Sequence, residues 1–190
     1  MAESSRWLRL PLITAAALTF AASAQAPLDV RVALVIGNSA YAFSPLANPV
    51  NDAAAMSATL KQLGFDVLEL RDASNDQMQK AVEAVHAKLN GKQAVGMLYY
   101  AGHGLQADFH NYMVPVDARL NSANDLPKQT MDVGVVIEAF KVAGNRFNIV
   151  VLDACRDNPF ADKSSGKGLA PMDAPAGWNS RRPSRRRRIR

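Results

Sequence analysis

The chain has 190 residues, of which 48% are hydrophobic and 21% charged, with 11 Gly, 10 Pro and one Cys. This length and composition predict one globular domain of ordinary size and exclude a disordered, collagen-like or low-complexity chain. The single Cys excludes an internal disulfide framework and a Cys-based zinc cluster, and three scattered His do not suggest a His-rich metal site.

The net charge of +5 comes from one end of the chain. Seven of the 22 Lys and Arg residues lie in residues 178–190, which contain no acid, so the rest of the chain sums to −2. The basic balance therefore predicts no nucleic-acid or membrane partner for the globular part.

The first 26 residues are typical of an export signal. Arg6 and Arg9 precede an apolar run over residues 10–22, and the small residues that follow fit cleavage after Ala24 or Ala26. The run is too short to span a bilayer. We expect a cleaved signal peptide over residues 1–26 and a periplasmic or secreted protein without a stable membrane anchor. The alternatives are an uncleaved anchor and a buried helix.

Short apolar runs alternate with helical patterns in the middle of the chain. Strands are predicted at residues 31–37, 65–70, 94–101 and 147–153. Helices are predicted at residues 51–63, where Asn51 is the candidate cap, from a Ser74 and Gln77 capping box to residue 89, and at residues 132–142. Residues 110–116 suggest a small hairpin or an extended arm. This order predicts a three-layer α/β/α sandwich around a mostly parallel sheet.

The ends of two predicted strands carry candidate catalytic residues, because such sheets place functional groups beyond the carboxyl ends of their strands. The third strand leads into His103 between two glycines, and the fourth leads into Cys155. A His can activate a Cys nucleophile and protonate the leaving group, and the amides of Gly104 and Cys155 could form an oxyanion hole. The alternatives are a structural buried Cys and a His in a turn. His86, within a helix, and His110, in a polar loop, are weaker candidates.

Residues 99–104 (YYAGHG) and 153–156 (DACR) resemble the catalytic motifs of the caspase-like clan, most closely those of bacterial caspase homologues and metacaspases, peptidase family C14. Residues 33–38, 48–53 and 114–118 also resemble segments of this family, and the resemblance spans residues 31–176. It implies a caspase-like fold and a cysteine-type endopeptidase acting on protein or peptide substrates. In such an enzyme Cys155 is the nucleophile and His103 the general acid and base, usually without a third catalytic residue.

The resemblance also implies a preference for Arg or Lys at P1, the residue before the bond that is cleaved. Caspases hold Asp with Arg residues, whereas metacaspase-type members hold a basic residue with acids at positions that match Asp52 and Asp153. A partly buried carboxylate pair binds guanidinium well. The alternative roles are complementing a helix dipole for Asp52 and strand-end solvation for Asp153. Ala101 stands where metacaspases have Ser, so one polar contact of this pocket is missing.

The C-terminus departs from the resemblance. The caspase-like fold continues beyond the Cys with a loop, which residues 168–177 fit, and then at least one more core strand. Seven Arg residues in 178–190 cannot fill such a strand. We expect a catalytic domain over residues 27–177, in a sheet that can lack its last strand or strands, followed by an atypical Arg-rich tail over 178–190. We favour a frameshifted or truncated gene product over a genuine polyanion-binding tail.

Two alternative functions follow, an inactive caspase-like scaffold that lacks the C-terminal strands and a basic-tail polyanion-binding protein. No nucleic-acid partner is expected unless the tail is genuine, and no P-loop or glycine-rich dinucleotide motif follows a strand. No metal site or cofactor is expected. Calcium activation stays open, since some metacaspase-like members need calcium but no EF-hand spacing is present.

Overall fold

The structure, a computed structural model, describes residues 30–156, without the side chains of Cys155 and Arg156. The expected signal peptide, the loop at 168–177 and the Arg-rich tail lie outside the described residues. The described elements, in chain order, are β1 (Val30–Gly37), α1 (Pro49–Gln62), β2 (Asp66–Arg71), α2 (Asn75–Leu89), β3 (Ala94–Ala107), β4 (His110–Met113), a 3-10 turn (Ala123–Asp125), α3 (Leu126–Gln129), β5 (Met131–Asp132), α4 (Val133–Val142) and β6 (Phe147–Arg156).

The sheet is built around β3. Strands β1 and β2 pair in parallel, and β3 pairs in parallel with both β1 and β6. Val95 lies opposite Arg31 on β1 and opposite Phe147 on β6, so β3 separates these two strands. Strands β4 and β5 continue the sheet in antiparallel pairing. The predicted mostly parallel sheet is confirmed.

Helices cover both faces of the sheet and form three layers. On β1, Val32, Leu34 and Ile36 belong to a buried cluster that includes residues of α2 and α4. Ala33 and Val35, which alternate with them, belong to a second cluster that includes residues of α1. A strand covered on both faces needs apolar residues at every position, which is why β1 appears as an unbroken apolar run.

The helix ends follow the predicted signals with one exception. Ser74 and Gln77 form the predicted capping box at the start of α2. Asn51 was expected to cap α1, but the helix begins two residues earlier at Pro49, with Asn48 as its cap residue. Proline favours the first turn because its φ is already helical and it has no N–H to leave unpaired. A Cβ on Gly37 would lie 2.6 Å from that of Ala53, so this glycine lets β1 approach α1.

Strands β3 and β6 are longer than their apolar patterns predict. Residues 104–107 of β3 pair with residues 110–113 of β4 in a hairpin, so the predicted hairpin or arm at 110–116 supplies only one of its two strands, and β6 continues to Arg156. The expectation that His103 and Cys155 follow the ends of their strands is therefore wrong, because both residues lie within them. Gly104 pairs with Met113 of β4, so β3 continues as a strand through Gly102 and Gly104, the two glycines whose pattern suggests a turn.

Candidate active site

His103 and Cys155 are direct neighbours across two parallel strands. The register of β3 and β6 pairs His103 with Cys155 and Gly104 with Arg156. His103 lies just beyond the parallel pairing of β3 with β1, which stops at Ala101, and Cys155 lies near the end of β6, so both are at the edge where parallel sheets carry their functional groups. The structure thus brings together the backbone positions of the two predicted catalytic residues.

The His103 ring is held by the loop that follows β1. Its Nε2 lies 2.7 Å from the main-chain oxygen of Ser44. Because a carbonyl oxygen only accepts hydrogen bonds, Nε2 carries the proton and Nδ1 is the acceptor of the neutral ring. The ring also stacks on Phe43, at 5.6 Å between centroids, and lies 4.4 Å from the ring centre of Tyr41. This tautomer leaves Nδ1 able to accept a proton.

Two tyrosine hydroxyls fix the main chain of His103. Its amide donates to the Tyr41 hydroxyl at 3.0 Å, and its carbonyl accepts from the Tyr100 hydroxyl at 2.7 Å. The two hydroxyls lie 3.2 Å apart, and each is 3.0 Å from the Val114 carbonyl. Burial raises the pKa of Tyr41 and raises that of Tyr100 well above 10, so both hydroxyls stay protonated at neutral pH.

Gly102 makes this arrangement sterically feasible. A Cβ at this position would lie 2.6 Å from the Tyr41 hydroxyl and 2.7 Å from the Tyr100 hydroxyl. Any side chain would displace the hydroxyls that bind His103. The glycine next to the histidine is therefore needed for packing and not for a turn.

The two acids predicted to bind a basic residue share one neighbour, Tyr99. Asp153 pairs with Ala101 across β3 and β6, and its Oδ2 lies 3.5 Å from the Tyr99 hydroxyl. Burial first, and then the charges of Asp153 and Asp52, raise the pKa of Tyr99. We expected a partly buried carboxylate pair, but both acids are exposed among the described residues, since Asp52 lies in the first turn of α1 and Asp153 near the end of β6.

The two other histidines lie apart from this arrangement. His86 is on α2, and His110 is exposed on β4, where its Nδ1 lies 2.6 Å from Asp132 Oδ2. Within residues 30–156, no group of three or more His, Cys, Asp or Glu could hold a metal ion. In the same range no helix has the length and apolar character needed to cross a membrane.

Sequence reasoning missed the residues that hold the candidate base. Ser44, with Tyr41 and Phe43, lies in the loop after β1, and Tyr100 is part of the motif that contains His103. The predicted topology did indicate the loop after β1, because β1 is parallel to β3 and its carboxyl end lies at the same edge of the sheet. The pattern could place this loop near His103, but it could not predict that a main-chain carbonyl would bind the ring.

Comparison with known proteins identifies the family. The family model described as the caspase domain, peptidase family C14, matches residues 30–186. The chain belongs to the caspase domain family. This confirms the resemblance found in the sequence, and the layered α/β fold agrees with it.

Individual relatives agree with this assignment. The caspase-domain chain is 36% identical over 129 residues to mucosa-associated lymphoid tissue lymphoma translocation protein 1 of Homo sapiens and, equally, to its homolog in Mus musculus. Each match covers 66% of this chain and 15% of the relative, so the chain spans only a small part of those proteins.

A solved structure shares the fold. Protein GSU0716 from Geobacter sulfurreducens superposes with a TM-score of 0.54 at 21% identity. The match covers 68% of this chain and 52% of that protein.

Proposed function

We propose that this caspase-domain protein is an exported cysteine-type endopeptidase that hydrolyses peptide bonds after Arg or Lys. The observation that carries the proposal is the register of the sheet, which sets His103 directly opposite Cys155 on the neighbouring parallel strand. The hydrogen bond from Nε2 to the Ser44 carbonyl supports it, because it leaves Nδ1 as the proton acceptor.

The reaction follows the general scheme for a thiol nucleophile and an imidazole base. His103 accepts the thiol proton of Cys155 at Nδ1 while the sulfur attacks the scissile carbonyl carbon. The amides of Gly104 and Cys155 stabilise the oxyanion. His103 then gives the proton to the leaving amine, and the C–N bond breaks to leave a thioester. Water, deprotonated by His103, hydrolyses the thioester and restores the thiol.

The basic preference rests on the two acids. Tyr99 is close enough to both Asp52 and Asp153 for their charges to raise the pKa of its hydroxyl. Two carboxylates whose charges both act on the Tyr99 hydroxyl offer a guanidinium or ammonium group charge-assisted hydrogen bonds. The Tyr99 hydroxyl, which donates to Asp153 at 3.5 Å, orients that carboxylate.

The remaining parts of the proposal come from residues outside the described range and from the chemistry. Residues 1–26 direct export to the periplasm or the medium, and the partners are protein or peptide substrates. Thiol and imidazole need no cofactor for this reaction, and a calcium requirement is left to the experiment.

Hydrolysis of fluorogenic peptides that differ only in Arg, Lys or Asp at P1 tests the proposal, with the full-length chain in the presence and absence of calcium. We expect cleavage after Arg and Lys that Cys155→Ala abolishes. Cleavage after Asp alone would reject the acidic pocket and keep the thiol chemistry. Folded protein that cleaves none of the three peptides, or cleavage that survives Cys155→Ala, would contradict the proposal.

An inactive caspase-like scaffold is the second candidate. Phe147 and Val151 on β6 are 54% and 36% exposed among the described residues. The unusual composition of residues 178–190 does not suit a further buried strand beside β6. This candidate predicts a folded protein without Cys155-dependent turnover.

A further inference from the structure

A cavity of about 590 Å³ opens beside His103. Most of its lining side chains are apolar, namely those of Ala42, Phe43, Leu105, Val114, Ala118 and Leu120. Its volume is within the range of sites that bind small ligands or single side chains with part of their main chain. Phe43 is 64% exposed, so a large part of its ring faces no other described residue.

The cavity lies across the imidazole from the strand of the nucleophile. Gly104 pairs with Met113 on β4 and with Arg156 on β6, so β3 separates those two strands at this level. The cavity takes Leu105 from β3 and Val114 from the segment directly after β4, and His103 forms part of its wall. Cys155 is on β6, along the other edge of β3.

The acids proposed to bind the P1 side chain do not line this cavity. Asp153 lies 3.5 Å from the hydroxyl of Tyr99, which belongs to the cluster on the α1 face of the sheet, and Asp52 lies in the first turn of α1. The described lining instead includes Arg119 and Asn121. The P1 side chain and the occupant of the cavity are therefore bound by different residues.

The chemistry of the leaving group identifies the occupant. The imidazole protonates the amine released from the scissile bond, so the residue after that bond, P1′, must be adjacent to the His103 ring in the transition state. A side chain at P1′ that extends past the ring can then enter the space that the same ring borders on the Ser44 side. Burying an apolar side chain there removes both it and the exposed Phe43 ring from water.

We propose that this cavity is the P1′ subsite and that it takes a large apolar residue such as Leu or Phe. The proposal rests on the proposed function, because it assumes the same peptide direction and the same general acid. It extends the substrate class from a basic residue at P1 to a basic residue followed by a large apolar one.

The first test uses binding, so that it does not depend on turnover. Full-length Cys155→Ala protein is titrated with two amide-capped peptides that begin with a free Phe or a free Gly and are otherwise identical. We expect the Phe peptide to bind about tenfold more tightly. Leu120→Asp should remove the difference, since it places a charge in the cavity wall. Val142→Asp, at an exposed position of α4, is the matched control and should keep it.

The second test measures kcat/KM on internally quenched peptides with Arg at P1 and Gly, Leu or Phe at P1′. We expect Leu and Phe to exceed Gly by about tenfold. Equal binding of the two product peptides, or an equal rate for all three substrates, would overturn the P1′ assignment while leaving the endopeptidase proposal intact. Selective binding by a protein that cleaves no peptide would overturn the proposed function and with it the P1′ assignment, because the cavity would then bind an apolar residue without peptide cleavage.

Discussion

The described residues hold the ring and main chain of His103 more firmly than they hold the side chains of the two acids, Asp52 and Asp153. The His103 amide, carbonyl and ring each have a hydrogen-bond partner, from Tyr41, Tyr100 and Ser44. Asp52 and Asp153 are exposed. The position of the His103 ring is thus built into the sheet and its core, whereas the two acids that we propose select the substrate are exposed charges that can change without refolding.

The largest expected effect on kcat/KM comes from changing the acids. Asp153→Asn should lower kcat/KM on an Arg peptide about 10- to 100-fold, because it removes a charged partner of the guanidinium. The unfolding free energy should hardly change, since Asp153 is exposed. Parallel assays with Arg and Gln at P1 measure the effect, and we expect the Gln peptide to be affected far less.

Asp52→Asn should give a loss in the same direction, and it has a matched control. Asp76 occupies the first turn of α2 as Asp52 occupies the first turn of α1. Asp76→Asn therefore changes the same helix-dipole interaction without touching the acid pair, and it also removes an exposed ion pair with Lys80. Similar activities for the two variants would show that Asp52 serves only its helix and would contradict its role in the pocket.

The next effect tests how strongly the tyrosines hold the base. Tyr100→Phe removes a buried hydroxyl that binds the carbonyls of His103 and Val114, so stability should fall by about 1–3 kcal/mol. We expect kcat to fall about tenfold with KM nearly unchanged, because a shifted imidazole affects proton transfer more than binding. Tyr112→Phe is the control, since its ring stacks on His110 instead. Equal kcat in both variants would remove Tyr100 from the positioning role.

The buried Tyr100 hydroxyl should also make the protein less stable at alkaline pH. Burial raises the pKa of Tyr100 above its ordinary value of 10, so the unfolded chain releases this proton at a lower pH than the folded one. The stabilising contribution is complete below about pH 10 and declines as the pH rises above that value. Denaturant titrations between pH 8 and 11 should show a decline that is shallower in Tyr100→Phe than in the parent.

A smaller effect is expected at Tyr99. Its hydrogen bond to Asp153 is long, at 3.5 Å, so Tyr99→Phe should lower kcat/KM on the Arg peptide only about two- to threefold. The peptide with Gln at P1 should be unaffected. A loss that is the same for both peptides would mean that Tyr99 acts through packing and not through the acids.

The smallest effect on activity is expected far from both regions. Ser74→Ala breaks the capping box of α2 and should cost about 1 kcal/mol of stability. Activity at a temperature well below the melting point should stay unchanged. A change in kcat would show that any loss of stability lowers the activity. The effect of Tyr100→Phe on kcat would then not demonstrate that Tyr100 positions His103.

Periodicity predicted the order of strands and helices because apolar strands covered on both faces and the Ser74 capping box leave clear local signals. It could not show that β3 continues through His103, since that extension depends on pairing with β4. Nor could periodicity predict the contact of His103 with Ser44, because every residue has a main-chain carbonyl and the residue type therefore does not indicate which carbonyl binds the ring. The two acids came from the resemblance, and their exposure was missed because burial depends on what packs over them.

Cys155 is the only cysteine in the chain, so its alkylation by iodoacetamide reports this one thiol and needs no substrate. The measurement that tests the central claim most directly is the pH dependence of this rate in the parent, in His103→Ala and in the control His86→Ala. We expect the parent and His86→Ala to react with a midpoint at least one pH unit below that of His103→Ala, which should be near the ordinary thiol value of about 8.5. The same midpoint in all three proteins would contradict the pairing of His103 with Cys155.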